Sequence, residues 1–163
     1  MAHIGSYVPA DSATIGIVTH ILTRIHFADT MALNASSFMI DLRQMNKAVS
    51  DASPNSLVVL DEFGKGTFHT DALSLLAAYL TNFIDRGSNC PHMLISTHLH
   101  DVVDLIPQTS IVEKQTFEFL INEDEAVIFL YRIISGNSGI SFAHSVAATA
   151  AGLDPRIIQR ALL

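Results

Sequence analysis

Two adjacent carboxylates, Asp61 and Glu62, follow directly on the apolar run Leu57-Val58-Val59-Leu60. Four consecutive apolar residues bounded by turn residues read as a strand covered on both faces, as in a parallel sheet. Ligand sites of open α/β sheets lie at the carboxyl ends of such strands, so this one carries two acids to the place where ligands bind. The chemistry open to them is metal-assisted phosphoryl transfer. One carboxylate holds a Mg²⁺ that bridges phosphate oxygens, and its neighbour orients and deprotonates an attacking water. Two solvated acids at an ordinary turn satisfy the same six letters.

A second apolar run ends in the same way, at Leu94-Ile95-Ser96-Thr97-His98. If the two strands are neighbours, His98 emerges beside Asp61 and Glu62, where an imidazole can contact a terminal phosphate or the attacking water. A histidine with a structural role is the plainer alternative. Ser36-Ser37-Phe38 opens a helical pattern, and hydroxyls with free N–H groups at a helix N-terminus form an anion site. The same serines suit an ordinary N-cap. Gly64-Lys65-Gly66-Thr67 has the look of a phosphate loop, but G-x-x-x-x-G-K-[ST] places Lys directly before Ser or Thr. Here Gly66 separates Lys65 from Thr67, and no such loop occurs in the sequence. Cys90, His92, His98 and His100 are metal-ligand types without the spacing of a structural zinc site, and residues 93–96, read as a buried strand, send neighbours to opposite faces.

The elements that must position these groups follow from periodicity. A strand is predicted over 21–27 and loop over 28–35. From Ser36 the residues Phe38, Leu42, Met45 and Val49 recur at helical spacing. Pro54-Asn55 turns the chain into the strand that ends at Asp61. A second helix is predicted from about Asp71 to Asp85, with Leu73, Leu76, Leu80, Phe83 and Ile84 on one face and Arg86-Gly87 as its stop. With the strand at 93–96 this makes a right-handed βαβ unit. Residues 111–121 and 126–134 predict a hairpin around Asn122-Glu123-Asp124-Glu125. Ser141 to Ala151 is alanine-rich and predicts a helix closed by Gly152, and Pro155 starts another. The fold class is α/β: a parallel sheet core with helices, a β-hairpin and a C-terminal helical tail.

Bulk properties set limits on function. The 163 residues are 49% hydrophobic and 15% charged, enough chain for a core. Nine Lys and Arg against sixteen Asp and Glu give a net charge of −7, with no basic cluster to track nucleic-acid phosphates in this segment. The single cysteine, Cys90, excludes an internal disulfide and fits a reducing compartment. No apolar run is long enough to span a bilayer and no signal-peptide pattern opens the chain, so the expectation is an intracellular domain with no membrane partner.

Taken in order, Gly5-Ser6-Tyr7-Val8-Pro9-Ala10, Thr23-Arg24-Ile25, Ser37-Phe38-Met39, the block from Ser56 to Thr67, Ser96-Thr97-His98, and Ala148 to Ala161 resemble the ATPase domain of MutS-type DNA mismatch-recognition proteins over nearly the whole chain. Asp-Glu-Phe-Gly-Lys-Gly-Thr at 61–67 looks most like the meiotic branch of that family. The resemblance implies an ABC-type P-loop NTPase fold, with ATP and Mg²⁺ as cofactors. It makes Asp61 the Mg²⁺-holding carboxylate (through water), Glu62 the general base and His98 a γ-phosphate-sensing switch. Ser36 and Ser37 correspond to the signature segment that reaches a partner's nucleotide. Gly64, Gly66 and Thr67 fall in the D-loop region (Gly64 to Asp71) along a dimer seam, and Gly152 to Leu163 matches the start of a helix-turn-helix.

The implied partners are a second MutS-type subunit, as homodimer or heterodimer, and mismatched or branched DNA gripped by other domains; the implied location is nuclear. The family's Walker A loop lies upstream of the Gly5 to Ala10 block. Residues 1–163 are therefore expected to be a partial ATPase domain, binding ATP poorly alone and leaving apolar surface on one side of the sheet. Phe68 and His69 depart from the smaller polar residues usual after the D-loop threonine, and Gly139 to His144 replaces a Ser-Tyr-Gly run. Two rival readings stand beside this one: a non-hydrolysing interaction module docking on a MutS-type partner, and another ABC-class ATPase of the chromosome-structure or transporter kind. The absence of an LSGGQ-like signature and the presence of the Gly5 to Ala10 block speak against the latter.

Overall fold

The structure, a computed structural model, describes residues 1–25, 37–122, 127–137, 142–143, 146–147 and 152–161. The chain divides into two compact units, Met1–Pro107 and Gln108–Leu163. The first contains β1 (His20–Arg24), α1 (Ser37–Asp51), β2 (Ser56–Asp61), α2 (His69–Ile84), β3 (His92–Ser96) and the short α3 (Val102–Leu105). Its sheet has the order β1-β2-β3 with both pairings parallel, as the strand-helix-strand reading requires.

The central place of β2 follows from its composition. Ser56, Val58 and Leu60 are buried, while Leu57, Val59 and Asp61 on the opposite face are half-buried. The α1 periodicity buries Met45 and Ala48, and α2 contributes Ala72, Leu76, Ala77, Leu80 and Phe83 to the same unit's interior. Met45 and Phe83 are wholly inaccessible. Each such side chain stabilises the fold by about 1.5–3 kcal/mol relative to leaving it in water. Past the end of α2, Arg86 reaches back to the end of α1. Its Nη2 donates to the Val49 carbonyl at 2.8 Å and its Nη1 to the Ala52 carbonyl at 3.3 Å, with the guanidinium 4.5 Å above the Phe83 ring. Carbonyls that a helix end leaves without intrahelical partners are thereby satisfied.

One expectation is corrected. The strand at 93–96 is not buried: β3 is an edge of the described sheet, and only Met93 is half-buried along it. An apolar run of four residues does not distinguish an inner strand from an edge strand. Register places Ile21 beside Leu57 and Val59 beside Leu94 on one face, where Ile21 is 50% and Leu94 63% exposed. The apolar surface expected on one side of the sheet is there.

In the second unit, β4 (Gln115–Ile121) pairs antiparallel with β5 (Val127–Ser135), giving the predicted hairpin. A register shift between Phe117 and Phe119 coincides with Tyr131 at φ +55°, a left-handed residue in the facing strand. Phe142 packs edge-on against Phe119 and Phe129, at centroid distances of 4.5 and 5.8 Å. The last helix runs Pro155–Ala161, starting where proline predicts. Most of the alanine-rich helix expected over 141–151, the 122–125 turn beyond Asn122, and the end of the strand predicted over 21–27 lie outside the described residues. Among those described, no helix is long and apolar enough to cross a membrane.

Candidate functional site

The parallel register between β2 and β3 sets Asp61 directly beside Ser96. One residue further the ladder persists as a single bond, the Glu62 N–H donating to the Ser96 carbonyl at 3.0 Å. Beyond it the chain turns sharply. Glu62 has φ +53° and Gly64 φ +89°, both left-handed. A glutamate in that region is strained and persists where its surroundings hold it. The turn divides the residues by chemistry: Phe63 is buried edge-on against Tyr79, with ring centroids 5.8 Å apart, while Asp61 and Glu62 keep partial access to solvent.

All three polar residues at the end of β3 have a task. The Ser96 hydroxyl donates a short hydrogen bond to Asp61 Oδ1. Thr97 Oγ1 accepts the Leu99 N–H at 3.0 Å, folding the turn that carries His98, and Leu99 anchors the turn in the interior. His98 Nδ1 then stands 2.5 Å from Glu62 Oε2. An ionised glutamate has only acceptors, so the proton in this contact sits on Nδ1, which leaves Nε2 of a neutral His98 as an acceptor. Lys65 Nζ lies 3.7 Å from the same Oε2. These groups are partly exposed, so the pairs add little stability and serve mainly to orient one another. Glu62, Gly64, Lys65, Thr67, His69, Ala72, His98 and Leu99 line a cleft of about 420 Å³.

Two glycines of the loop lie close to neighbouring elements, and at Gly64 the left-handed backbone adds to the contact. A Cβ on Gly64 would fall 2.5 Å from the Ala72 Cβ, so the loop lies directly on α2. A Cβ on Gly66 would fall 2.7 Å from Ser37 Oγ and 3.1 Å from the Phe38 amide nitrogen. The structure therefore gathers Asp61, Glu62, Gly64, Gly66, Thr67 and His98 at one corner of the sheet, with Ser37 packed against the loop at Gly66. Ser36 lies outside the described residues. Among the described residues no group of three or more His, Cys, Asp or Glu side chains is arranged to hold a metal directly.

Sequence reasoning assigned no role to the pair beneath this corner. Arg24, at the end of β1, is 1% exposed and Asp41 of α1 is 4% exposed. Arg24 Nε donates to Asp41 Oδ1 at 2.9 Å, and Nη2 is 2.5 Å from the same oxygen without hydrogen-bond alignment. Arg24 Nη1 donates to the Asp61 carbonyl at 2.5 Å, and Asp41 Oδ2 accepts the Gly64 N–H at 3.4 Å. The missed signal was Asp41 itself, which falls inside the apolar stripe of α1 between Phe38 and Met45. A charge on a core-facing stripe calls for a buried partner.

A parallel sheet whose middle strand leads into two carboxylates, one met by a histidine that follows the next strand, defines a mixed α/β protein with these polar groups gathered at the strand ends. The sequence profile of MutS domain V matches residues 1–162, and the chain belongs to that family. It is 42% identical over 163 residues to MutS protein homolog 5 of Caenorhabditis elegans, covering 99% of this chain and 12% of that protein. It is 39% identical over 165 residues to the DNA mismatch repair protein MutS of Halothermothrix orenii, covering 99% of this chain and 18% of that one. The MutS of Alkaliphilus metalliredigens is 38% identical over 162 residues, with the same two coverages of 99% and 18%. The chain thus spans less than a fifth of the length of these relatives.

Proposed function

We propose that this domain forms the hydrolytic side of an ATP site in a MutS-type protein that acts on mismatched or branched DNA. The observation that carries the reading is the contact of His98 Nδ1 with Glu62 Oε2 at 2.5 Å, beside Asp61, at the end of a parallel sheet. Glu62 takes the proton of the attacking water. His98 holds that carboxylate in place through Nδ1 and turns Nε2, an acceptor in the neutral ring, to the attacking water; a doubly protonated ring would instead donate from Nε2 to a terminal phosphate oxygen. Lys65 and Thr67 offer a cation and a hydroxyl to phosphate oxygens from the same cleft. The fit to magnesium rests on donor chemistry: Asp61 offers a carboxylate whose position Ser96 fixes, and Mg²⁺ retains several waters, so one carboxylate would hold the ion through them. When bound, the ion neutralises charge that builds on the phosphate oxygens.

The rest of the reading extends from family membership. A second MutS-type subunit meets this domain along the Gly64 to Asp71 segment, and the Ser36-Ser37 signature segment serves the partner's nucleotide. Gly152 to Leu163 begins the helix-turn-helix, DNA is gripped by other domains, and the likeness to MutS protein homolog 5 favours a meiotic, nuclear role. The ABC-type P-loop NTPase fold is part of the same proposal. Its test is phosphate release from Mg·ATP by the full-length protein. Magnesium-dependent release is expected. A protein that docks on a MutS-type partner yet releases no phosphate would be an interaction module instead.

A further inference from the structure

We propose that Arg24 and Asp41 are a positioning pair for Glu62, an inference that rests on the reading of Glu62 as the base. The two side chains have more hydrogen-bonding capacity than their own ion pair uses, and two of the remaining groups, Arg24 Nη1 and Asp41 Oδ2, go to opposite ends of one turn. Arg24 Nη1 takes the carbonyl of Asp61 and Asp41 Oδ2 takes the N–H of Gly64. Glu62 and Phe63 lie between those two grips. The pair therefore brackets the residue whose backbone is held at φ +53°. A left-handed glutamate next to a left-handed glycine is a costly turn, and such geometry survives when several elements over-determine it. Here the tethers come from β1 through Arg24, from α1 through Asp41 and from β3 through the Ser96 carbonyl.

The residue types fit this role better than a purely stabilising one. Well-packed apolar residues of similar volume generally serve a buried site as well as an ion pair or better, so fold stability alone does not call for these charges. What apolar residues cannot do is hold a carbonyl and an N–H at fixed points. Arginine presents its donors in a rigid planar fork, so Nε can serve Asp41 while Nη1 serves the Asp61 carbonyl; lysine, a point charge on a flexible stem, cannot serve both in that geometry. The consequence is a pre-set direction for the Glu62 carboxylate toward His98 before any ligand arrives.

The test compares the parent full-length protein with Arg24→Met/Asp41→Leu, Arg24→Lys and Glu62→Gln. Three quantities are read: the melting temperature, the His98 tautomer at a pH where the ring is neutral (from the nitrogen shifts of isotope-labelled histidine), and kcat and KM for Mg·ATP. The double variant should melt within about 5 °C of the parent. It should nonetheless lose the Nδ1-protonated form of His98, and kcat should fall about 100-fold with KM little changed, the scale of a misplacement near 1 Å. Arg24→Lys should shift the tautomer and kcat in the same direction, and it decides the matter if the double variant does not fold. Parent-like tautomer and parent-like kcat in either folded variant would overturn the proposal. If Glu62→Gln leaves turnover unchanged, the base assignment fails on its own account, and the tautomer still shows whether the pair positions Glu62.

Discussion

His98 Nδ1 and Glu62 Oε2 stand 2.5 Å apart across thirty-six residues of sequence. Register brings them together, since Asp61 pairs with Ser96, and each strand then turns through a hydrogen bond of its own toward the other. The contact fixes the orientation of an acid and the tautomer of an imidazole together. A site that handles a water proton needs both, because the base must point at the proton and the histidine must present the correct nitrogen.

The loop's two glycine-dependent features can be separated by substitution. Gly64→Ala should cost about 2–5 kcal/mol, combining the left-handed backbone at φ +89° with a Cβ 2.5 Å from the Ala72 Cβ. Gly87→Ala shares the left-handed backbone at φ +56° but meets open space, and should cost about 1–2 kcal/mol. Urea denaturation of both variants measures the difference; equal losses would mean the loop does not lie on α2.

The Arg24–Asp41 pair predicts a characteristic non-additivity. Asp41→Leu alone leaves a buried guanidinium without its carboxylate and should lose about 3–5 kcal/mol. Adding Arg24→Met should recover most of that loss. A double-mutant cycle on denaturation free energies reads the coupling, and additive losses would show that the two charges do not depend on each other.

A pH effect is expected at the start of the C-terminal helix. Asp154 Oδ1 accepts the Arg156 N–H at 2.9 Å, and its carboxylate also holds the Arg156 side chain. These bonds, the side-chain one foremost, keep the Asp154 carboxyl below its ordinary value of 3.8. A depressed carboxyl stabilises the folded form at and above its unfolded value, and the contribution disappears as pH falls through the folded one. Amide exchange in residues 156–161 should therefore lose protection only below about pH 4, and Asp154→Asn should remove the acid transition. Loss of protection centred near neutrality would contradict this.

Much of this arrangement was readable from residue order because local chemistry dictated it. Pro54-Asn55 and Arg86-Gly87 bounded their elements, and the apolar run before Asp61 specified an inner parallel strand. The burial of β3 was not readable in this way, since a run such as Met93-Leu94-Ile95 reads alike whether its face is covered or open. α3 went unpredicted because four residues hold too little periodicity to register. At the site, the pairing of Glu62 with His98 was legible once the two strands were taken as neighbours. The left-handed backbone of Glu62 was not, because nothing in the side chain of glutamate announces a conformation imposed by tethers from β1, α1 and β3.

The most direct measurement is single-turnover hydrolysis of Mg·ATP by the full-length protein carrying Glu62→Gln, with nucleotide affinity measured in parallel. Glutamine keeps the shape of the side chain and removes its basicity. Affinity should stay close to the parent's, and the hydrolysis rate should fall by about 10²–10⁴, the contribution of a positioned general base. Hydrolysis at the parent rate with nucleotide bound would contradict the assignment of Glu62, and with it the account of this corner of the sheet as a hydrolytic site.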